Sequence, residues 1–198
     1  MNGGLRKSCK IDGGIAAATT NKANWRLDGQ SEAPMIISGK PNKNQNWRTP
    51  QDWFNSLDRI FHFTIDACAS PSNALLDRYW TAKDDSSRRS WAGERAFCNP
   101  PFSGGGEFLA NASGADLAVV VWPLNSLTAQ RFHRSNPPTM VFIPDQRIQF
   151  VPPRGLRSSS NTGGVCFLIY GKVTPGQSRE LNRLRGMKLK VSGWLGSR

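Results

Sequence analysis

The tetrapeptide Asn99-Pro100-Pro101-Phe102 combines groups that together can hold a flat ring carrying an amino group. Two consecutive prolines fix φ and remove two backbone donors, so the carbonyls of Asn99 and Pro100 stay outside any strand or helix ladder. The Asn99 side-chain oxygen and the Pro100 carbonyl can each accept one N–H of a planar amine, while the Phe102 ring stacks on it. This geometry fits a nucleobase, although a double proline can also simply end a strand.

The residues around this tetrapeptide predict that it lies in a loop at the end of a strand. The apolar run 96–98 predicts a buried strand before it, and the glycines at 104–106 predict a flexible loop after it, followed by a helix at 107–112. The most apolar run, 116–123, predicts a central strand. Alternation of strands and helices indicates an α/β fold. Further strands are predicted at 63–66, 79–81, 139–143 and 164–170, and a weak basic helix at 178–188.

A β-type run ends at Asp66 and is followed by the small residues Ala67, Cys68 and Ala69. Ligands of open α/β sheets bind beyond the carboxyl ends of strands, so this loop suits the charged amino acid portion of a cofactor. No Gly-x-Gly is present, and Ala67 and Ala69 would have to allow the close backbone approach that glycine normally supplies.

Two acids, Asp84 and Asp85, follow the short strand predicted at 79–81. An acidic pair at a strand end can hold a ribose diol or an adenine amino group. Acids are also common in solvated turns, and that alternative stays open for each of them.

A short amphipathic helix is predicted to begin at Thr49 and Pro50. Thr49 has the character of an N-cap and Pro50 that of a first helical residue. The apolar face of this helix is expected to pack on the body of the protein, and it consists of Trp53, Phe54, Leu57 and Phe61.

The segment 145–163 lies between two predicted strands and is too long for a hairpin turn. Its polar side chains are of the types that contact phosphates and base edges, which makes it a candidate DNA-facing loop. A mobile polar loop is the alternative. The candidate DNA-binding residues are Arg147, Gln149, Arg154, Arg157 and Asn161.

Charge is concentrated at the two ends of the chain. Residues 1–46 hold seven Lys and Arg against three acids, 47–170 twelve against ten, and 171–198 seven against one. A nearly neutral centre with basic ends suits an enzyme that binds a polyanion through its phosphates, although basic tails can be only solubilising. We predict a disordered basic leader at 1–45, one domain at 46–171 and a basic C-terminal extension at 172–198.

The spacing of the cysteines and the hydropathy of the chain narrow the class of protein further. The cysteines show no C-x-x-C spacing and no nearby pair of histidines, so we expect no metal site. Cys68, Cys98 and Cys166 are expected to be small buried side chains in a reducing compartment, with Cys9 in the leader. No apolar run approaches the length of a membrane span and the first residues lack the apolar core of a signal peptide, so we expect a cytoplasmic protein.

The tetrapeptide resembles the (Asp/Asn)-Pro-Pro-(Tyr/Phe/Trp) motif of amino-group methyltransferases that use S-adenosylmethionine. Over about residues 47–170 the chain resembles, more specifically, phage and prophage DNA N6-adenine methyltransferases of the Dam type. The resemblance rests on six short elements in the family's order: Trp47-Arg48-Thr49-Pro50, Ile65-Asp66-Ala67-Cys68-Ala69, Tyr79-Trp80-Thr81-Ala82-Lys83-Asp84-Asp85-Ser86, Trp91-Ala92-Gly93, Cys98-Asn99-Pro100-Pro101-Phe102 and Arg147-Ile148-Gln149-Phe150.

The resemblance implies a single Rossmann-like class I methyltransferase domain with a mostly parallel mixed sheet. It implies that S-adenosylmethionine binds across the carboxyl edge of the sheet, and that an adenine flipped out of double-stranded DNA attacks the sulfonium methyl in line. It also implies a monomer in a bacterial cytoplasm, encoded by a phage or prophage. The implied catalytic residues are Asn99, Pro100, Pro101 and Phe102, and the implied cofactor-binding residues are Trp47, Thr49, Pro50, Asp66, Ala67, Cys68, Ala69, Asp84, Asp85 and Asn99.

The sequence departs from the family pattern in three respects. Phe102 stands where Tyr is commoner, the triple glycine after it is looser than a helix start, and the basic ends lie outside the resemblance. The same motif also serves methyltransferases of cytosine N4, RNA guanine or protein glutamine. A catalytically silent DNA-binding module on the same scaffold and a structural phage protein are the remaining alternatives.

Overall fold

The computed structural model describes residues 47–102, 105–128, 136–152 and 164–190 of the chain. The predicted leader at 1–45, Cys9 and three of the predicted DNA-binding residues, Arg154, Arg157 and Asn161, lie outside the described residues. No helix in the described part of the chain is long and apolar enough to cross a membrane.

The described residues form an α/β fold, which confirms the predicted fold class. Three α-helices are interspersed among six strands in the described residues, and a short 3-10 helix, Leu124–Thr128, follows the third strand. The elements in order are α1 (Gln51–Phe61), β1 (Ile65–Asp66), β2 (Arg95–Cys98), α2 (Gly106–Ser113), β3 (Leu117–Pro123), β4 (Met140–Pro144), β5 (Val165–Gly171), α3 (Pro175–Arg183) and β6 (Gly186–Lys190).

All six strands form one sheet in the order β1-β2-β3-β5-β4-β6. The sheet is mixed, as predicted, but its pairings are not mostly parallel. β1, β2 and β3 pair in parallel, whereas β5 runs antiparallel to both β3 and β4, and β6 antiparallel to β4. The difference arises because β5 inserts between β3 and β4 in the opposite sense, and an antiparallel strand needs no helical crossover to reach its neighbour.

The strands β1, β2, β3 and β4 share one direction, so their carboxyl ends lie along the same edge of the sheet. We call this the carboxyl edge. Asp66 ends β1 there, Asn99 follows β2, and Asp145 follows β4. Ligands of open α/β sheets bind at this edge, and the topology therefore brings the sequence-predicted site residues to one side of the molecule.

The core consists of two apolar layers, one on each face of the sheet. β3 and β5 are buried on both faces, because α1 and α3 cover one face and α2 covers the other. Residues alternate between the layers along each strand, as the pleat requires. Val119 packs towards Leu57 and Leu181, whereas Val120 packs towards Leu109.

Helix α1 begins one residue later than predicted, and Thr49 is not its N-cap. Pro50 occupies the cap position with φ −59° and ψ 139°, and no side chain caps the helix. Burial explains the difference, because the Thr49 side chain is turned into the protein, where it is only 4 % exposed. At the other end of α1, the Arg95 guanidinium donates to the carbonyls of Phe61 and His62, fixing the helix to the start of β2.

The sheet continues past residue 171, where we expected a basic extension to begin. Thr174 and Gln177 form a capping box that starts α3, and Gln177 Nε2 donates to the Ile60 carbonyl of α1 at 3.1 Å. The chain then turns into β6, which pairs with β4. The helix predicted at 178–188 is therefore wrong in its second half, where the chain forms β6. Pairing with the open edge of β4 satisfies more backbone N–H and C=O groups than a short exposed helix does.

Candidate active site

The Asn99 side chain is oriented by the backbone of a distant segment. Its Nδ2 donates to the Trp47 carbonyl at 2.8 Å, across 52 positions of sequence. Because Nδ2 faces the Trp47 carbonyl, the side-chain oxygen Oδ1 points away from Trp47. Within the described residues, Oδ1 accepts no hydrogen bond. Trp47, predicted to bind the cofactor, thus positions Asn99 through its carbonyl while its ring packs against the core. The amide presents a fixed acceptor at the carboxyl edge.

The segment that holds Asn99 is itself joined to the predicted DNA-facing loop. Arg48 and Val151 form an isolated antiparallel bridge, with Arg48 N to Val151 O at 3.0 Å and Val151 N to Arg48 O at 2.9 Å. The sequence indicated no relation between these two segments, since no local pattern marks a single bridge. The bridge brings 147–152 beside the tetrapeptide.

The rest of the tetrapeptide is well packed. Pro100 is buried, while Pro101 and Phe102 are half-buried and Phe102 packs against the apolar layer beneath α1. Of the predicted flexible loop 103–106, residues 103 and 104 lie outside the described chain. Gly105 is buried and Gly106 begins α2.

Gly105 has a packing role that sequence reasoning missed. A Cβ at Gly105 would lie 2.7 Å from the Trp122 ring and 3.3 Å from the Pro101 carbonyl oxygen. Only glycine permits this close approach of the α2 start to β3. The chain after Phe102 is therefore tightly packed at Gly105. The bulky Trp122, at the end of the neighbouring strand, is the sequence feature that could have indicated the need for a glycine here.

Asp66 is a buried carboxylate that organises the loop after β1. It is 3 % exposed, and its Oδ1 and Oδ2 accept from the backbone amides of Cys68 at 3.3 Å and Leu75 at 3.2 Å. Burial raises the pKa of Asp66 from its ordinary 3.8 to about 6, and the two amide hydrogen bonds only partly oppose this. Burial makes the ionised form of Asp66 unfavourable, so a cationic group that came close to it at the carboxyl edge would stabilise the carboxylate.

The small residues after Asp66 divide between core and surface. Ala67 is fully buried, and its N–H extends the sheet by donating to the Phe97 carbonyl at 2.7 Å. Its methyl group therefore packs in the core, whereas Cys68 and Ala69 are half-buried. The Cys98 thiol donates to Cys68 and lowers the pKa of that residue, while burial raises the pKa of Cys98 well above its usual value.

Asp84 and Asp85 follow the outermost piece of the sheet. Tyr79 forms a parallel bridge to Asp66, so the strand predicted at 79–81 is reduced to a single bridge. Asp84 Oδ2 accepts from the amide and the hydroxyl of Thr81, both at 2.8 Å, and these bonds hold the pKa of Asp84 below its usual value. Asp85 is exposed, with φ at 49°, and accepts from the Ser87 hydroxyl at 2.6 Å.

The loop that carries these acids is fixed by two side chains from elsewhere. Trp91 is buried and its Nε1 donates to the Ser86 carbonyl at 2.9 Å. Asn111 of α2, which sequence reasoning missed, donates to the carbonyls of Ser86, at 3.2 Å, and Ser87. These bonds keep the loop against the body of the protein.

Side chains in the described part of the predicted DNA-facing loop alternate between the core and solvent. Ile148 and Phe150 are buried, whereas the predicted DNA contacts Arg147 and Gln149 are exposed. Beside it, a cavity of about 200 Å³ opens at the carboxyl ends of β3 and β4. The residues that line this cavity are Leu124, Ile143, Pro144, Asp145, Gln146, Arg147, Gly164 and Val165.

Within the described ranges, no group of three or more His, Cys, Asp and Glu side chains is arranged to hold a metal ion. The three cysteines of these ranges are free thiols. Cys166 is buried, and burial raises its pKa to about 12.

Such a sheet, with an oriented amide and a buried acid at the ends of adjacent parallel strands, is a Rossmann-like α/β fold, and ligands of this class of fold bind beyond the carboxyl ends of the strands. The model of the DNA N-6-adenine-methyltransferase (Dam) family matches residues 38–181, well over half of the 198-residue chain. The chain belongs to this family and is a transferase. Membership implies DNA as the methyl acceptor and S-adenosylmethionine as the donor. No curated protein matches the chain in sequence.

Proposed function

We propose that the chain is a DNA adenine-N6 methyltransferase that acts on an adenine turned out of double-stranded DNA, with Asn99 as the central catalytic residue. The orientation of the Asn99 amide carries this proposal. Nδ2 is engaged by the Trp47 carbonyl at 2.8 Å, which leaves Oδ1 as an acceptor for an amine. A methyltransferase of an exocyclic amine needs an acceptor at this position more than it needs a strong base.

The adenine amine is a poor nucleophile because its nitrogen lone pair is delocalised into the ring. Asn99 Oδ1 and the Pro100 carbonyl each accept one N–H of this amine, which favours a tetrahedral nitrogen with a localised lone pair. The two acceptors also fix the direction in which the nitrogen faces. Orientation and electrostatics of this kind lower a barrier without a side-chain base.

Phe102 is proposed to stack on the extruded adenine. Turning a base out of the duplex costs a few kcal/mol, and stacking on an aromatic ring returns about 1–3 kcal/mol per base. The half-buried state of Phe102 supports this role, because its packing against the apolar layer holds the ring in place. Pro101 contributes rigidity between the amide and the ring.

The residues at the carboxyl edge fit S-adenosylmethionine. The Thr49 hydroxyl is buried and has no hydrogen-bond partner among the described residues, and the Asp66 carboxylate is a buried anion. A hydroxyl and a carboxylate suit the zwitterionic amino acid portion of this cofactor. When bound, the cofactor supplies an electrophilic methyl group on a sulfonium sulfur. Proposed roles in holding it extend to Trp47, Pro50, Ala67, Cys68, Ala69, Asp84, Asp85 and Asn99.

DNA is proposed to lie across the loop that contains Arg147 and Gln149. Both are exposed, and Arg and Gln contact phosphates and base edges. Arg154, Arg157 and Asn161 are proposed to belong to the same contact surface. Three further statements remain predictions from the sequence. They are that the protein acts as a monomer, that it acts in the bacterial cytoplasm, and that a phage or prophage encodes it.

Replacing Asn99 by Ala tests the proposal. Methyl transfer from radiolabelled S-adenosylmethionine to genomic DNA is expected to fall at least about 100-fold, the usual cost of removing one oriented group at a reacting centre. Urea unfolding should show that the fold persists. Calorimetry should show that the cofactor still binds, although more weakly, because Asn99 is also one of the residues proposed to hold it. Asn55→Ala is the matched control, because Asn55 is an exposed amide on α1, away from the carboxyl edge. Labelling by Asn99→Ala at the wild-type rate contradicts the proposal.

Nucleoside analysis of the labelled DNA shows which base accepts the methyl group. Label in N6-methyladenine is the expected result, and label in N4-methylcytosine overturns the choice of base while leaving the amine chemistry in place. A chain that neither binds the cofactor nor labels DNA, RNA or protein is a silent module. Sequencing of methylated adenines in cells that express the chain then gives the target site.

A further inference from the structure

Four exposed side chains form a continuous face beside the tetrapeptide. Arg147, Gln149 and Val151 alternate with the buried Ile148 and Phe150, so all three lie on the solvent side of an extended segment. This segment spans about 13 Å from its first to its last exposed residue, which corresponds to about four base steps of duplex DNA. The fourth member of the face comes from another part of the chain.

Arg48 joins this face through its bridge to Val151. Because each residue donates to the carbonyl of the other, the two form a hydrogen-bonded antiparallel pair, and the side chains of such a pair lie on the same side. Val151 is 39 % exposed and Arg48 is exposed as well, as this geometry requires. The Arg48 side chain therefore continues the row made by the loop.

The charge of Arg48 is not neutralised within the described residues. The ion pairs of this part of the chain join Arg78 to Glu94, Arg88 to Asp85 and Arg183 to Glu180. Neither Arg48 nor Arg147 takes part in them. Two exposed guanidinium groups on one face, with an amide and an apolar side chain between them, suit the phosphates and the groove of a nucleic acid duplex.

Arg48 is also mechanically tied to the catalytic amide. The residue before it, Trp47, supplies the carbonyl that holds Asn99 Nδ2 at 2.8 Å. A phosphate held by Arg48 is thereby fixed one residue away from the group that orients Asn99. The backbone bridge to Val151 makes the loop, Arg48 and the amide one connected unit.

We propose that Arg48 binds a backbone phosphate of the substrate duplex, on a DNA-contacting face that it shares with Arg147, Gln149 and Val151. This inference rests on the proposed function and deepens it, since it names the residue that fixes the DNA next to Asn99. Phosphate contacts give register without base specificity, so Arg48 sets the position of the duplex and leaves the choice of target to other residues.

The salt dependence of DNA binding tests this role. Fluorescence anisotropy of a labelled random-sequence duplex gives Kd at a series of salt concentrations. Arg48→Ala is expected to lower the slope of log Kd against log salt by about one, as the loss of one phosphate contact requires. Arg48→Lys keeps the charge and should keep the slope. Arg59→Ala is the matched control, because Arg59 is exposed at the far end of α1 and takes part in none of the ion pairs between described residues.

The outcomes separate this inference from the proposed function. An unchanged slope for Arg48→Ala, or a loss of slope in Arg48→Lys with the fold intact by circular dichroism, overturns the inference even if the wild-type chain methylates adenine. A reduced slope for Arg48→Ala alone supports it even if the wild-type product is not N6-methyladenine. In an active enzyme, Arg48→Ala should also raise KM for DNA while its affinity for the cofactor stays at the wild-type value.

Discussion

The two halves of the sheet are built differently. In the half that carries the tetrapeptide, β1 has two residues and β2 has four, whereas β3 and β5 in the other half have seven each and pair along their whole length. In the first half, side chains that bind backbone, such as those of Asp66 and Arg95, add to a short ladder. The second half is held by an uninterrupted ladder and two apolar layers.

Topology explains this difference. Parallel neighbours need a crossover connection, so the chain leaves the sheet after β1 and β2 and its strand ends are free to carry polar groups. Antiparallel neighbours pair directly, and every residue of a long strand can contribute to the core. We therefore expect the chemistry of the protein where the ladder is shortest and most of its stability where the ladder is longest. The first two substitutions below should each affect one half and spare the other, and the third tests the junction between them.

Phe167→Ala should produce the largest change, in the half with the long ladder. Phe167 is fully buried in β5, with its ring centroid 6.3 Å from that of Phe142 and 5.8 Å from that of Trp53. Its loss should lower the free energy of unfolding by about 3–5 kcal/mol, measured by urea denaturation. Leu189→Ala, on the exposed side of β6, is the control and should cost much less. A similar cost for both would mean that the ladder is not the main source of stability.

Asp66→Asn should change both pH dependence and cofactor binding. Folding raises the Asp66 pKa from 3.8 to about 6, so the fold favours the protonated acid. This contribution to stability is complete below about pH 4 and is lost as the pH rises through 6, a loss of about 3 kcal/mol. The variant should show a flatter pH profile in urea unfolding between pH 4 and 7. It should also bind the cofactor about tenfold or more weakly by calorimetry, since a charged partner is removed.

Asp77→Asn is the control for this prediction, because Asp77 is exposed in the same region of the chain. It should leave both the pH profile and the cofactor affinity at their wild-type values. If Asp66→Asn kept the wild-type pH profile, the buried carboxylate would not be the source of the pH dependence.

Gly105→Ala should have a smaller effect, at the junction between the two halves. A methyl group at Gly105 would lie 2.7 Å from the Trp122 ring, so α2 must shift, at a cost of about 1–3 kcal/mol. Because α2 begins just after Phe102, kcat for methyl transfer should fall too. Gly106→Ala is the neighbouring control, since its methyl group would meet nothing within 4 Å. Equal thermal unfolding midpoints for the two variants would show that the Trp122 contact does not constrain the site.

The amino-acid sequence by itself determined the elements that depend on neighbouring residues. The central strand predicted at 116–123 is β3, Leu117–Pro123, and the run at 164–170 is β5, Val165–Gly171. A long apolar run has few states other than a buried strand, so its position can be found without its partners. The tetrapeptide is likewise a local motif, and it predicted Asn99 as the group that faces an amine.

Only the tertiary structure decided which segments meet. The antiparallel insertion of β5, the pairing of β6 and the Arg48–Val151 bridge join residues far apart in sequence, and no local pattern encodes them. Thr49 has the sequence character of an N-cap, but burial outweighed capping and left its hydroxyl inside the protein. The motif predicts a role for Asn99, whereas no sequence signal indicates the Trp47 carbonyl that orients its side chain, because any residue can supply a backbone acceptor.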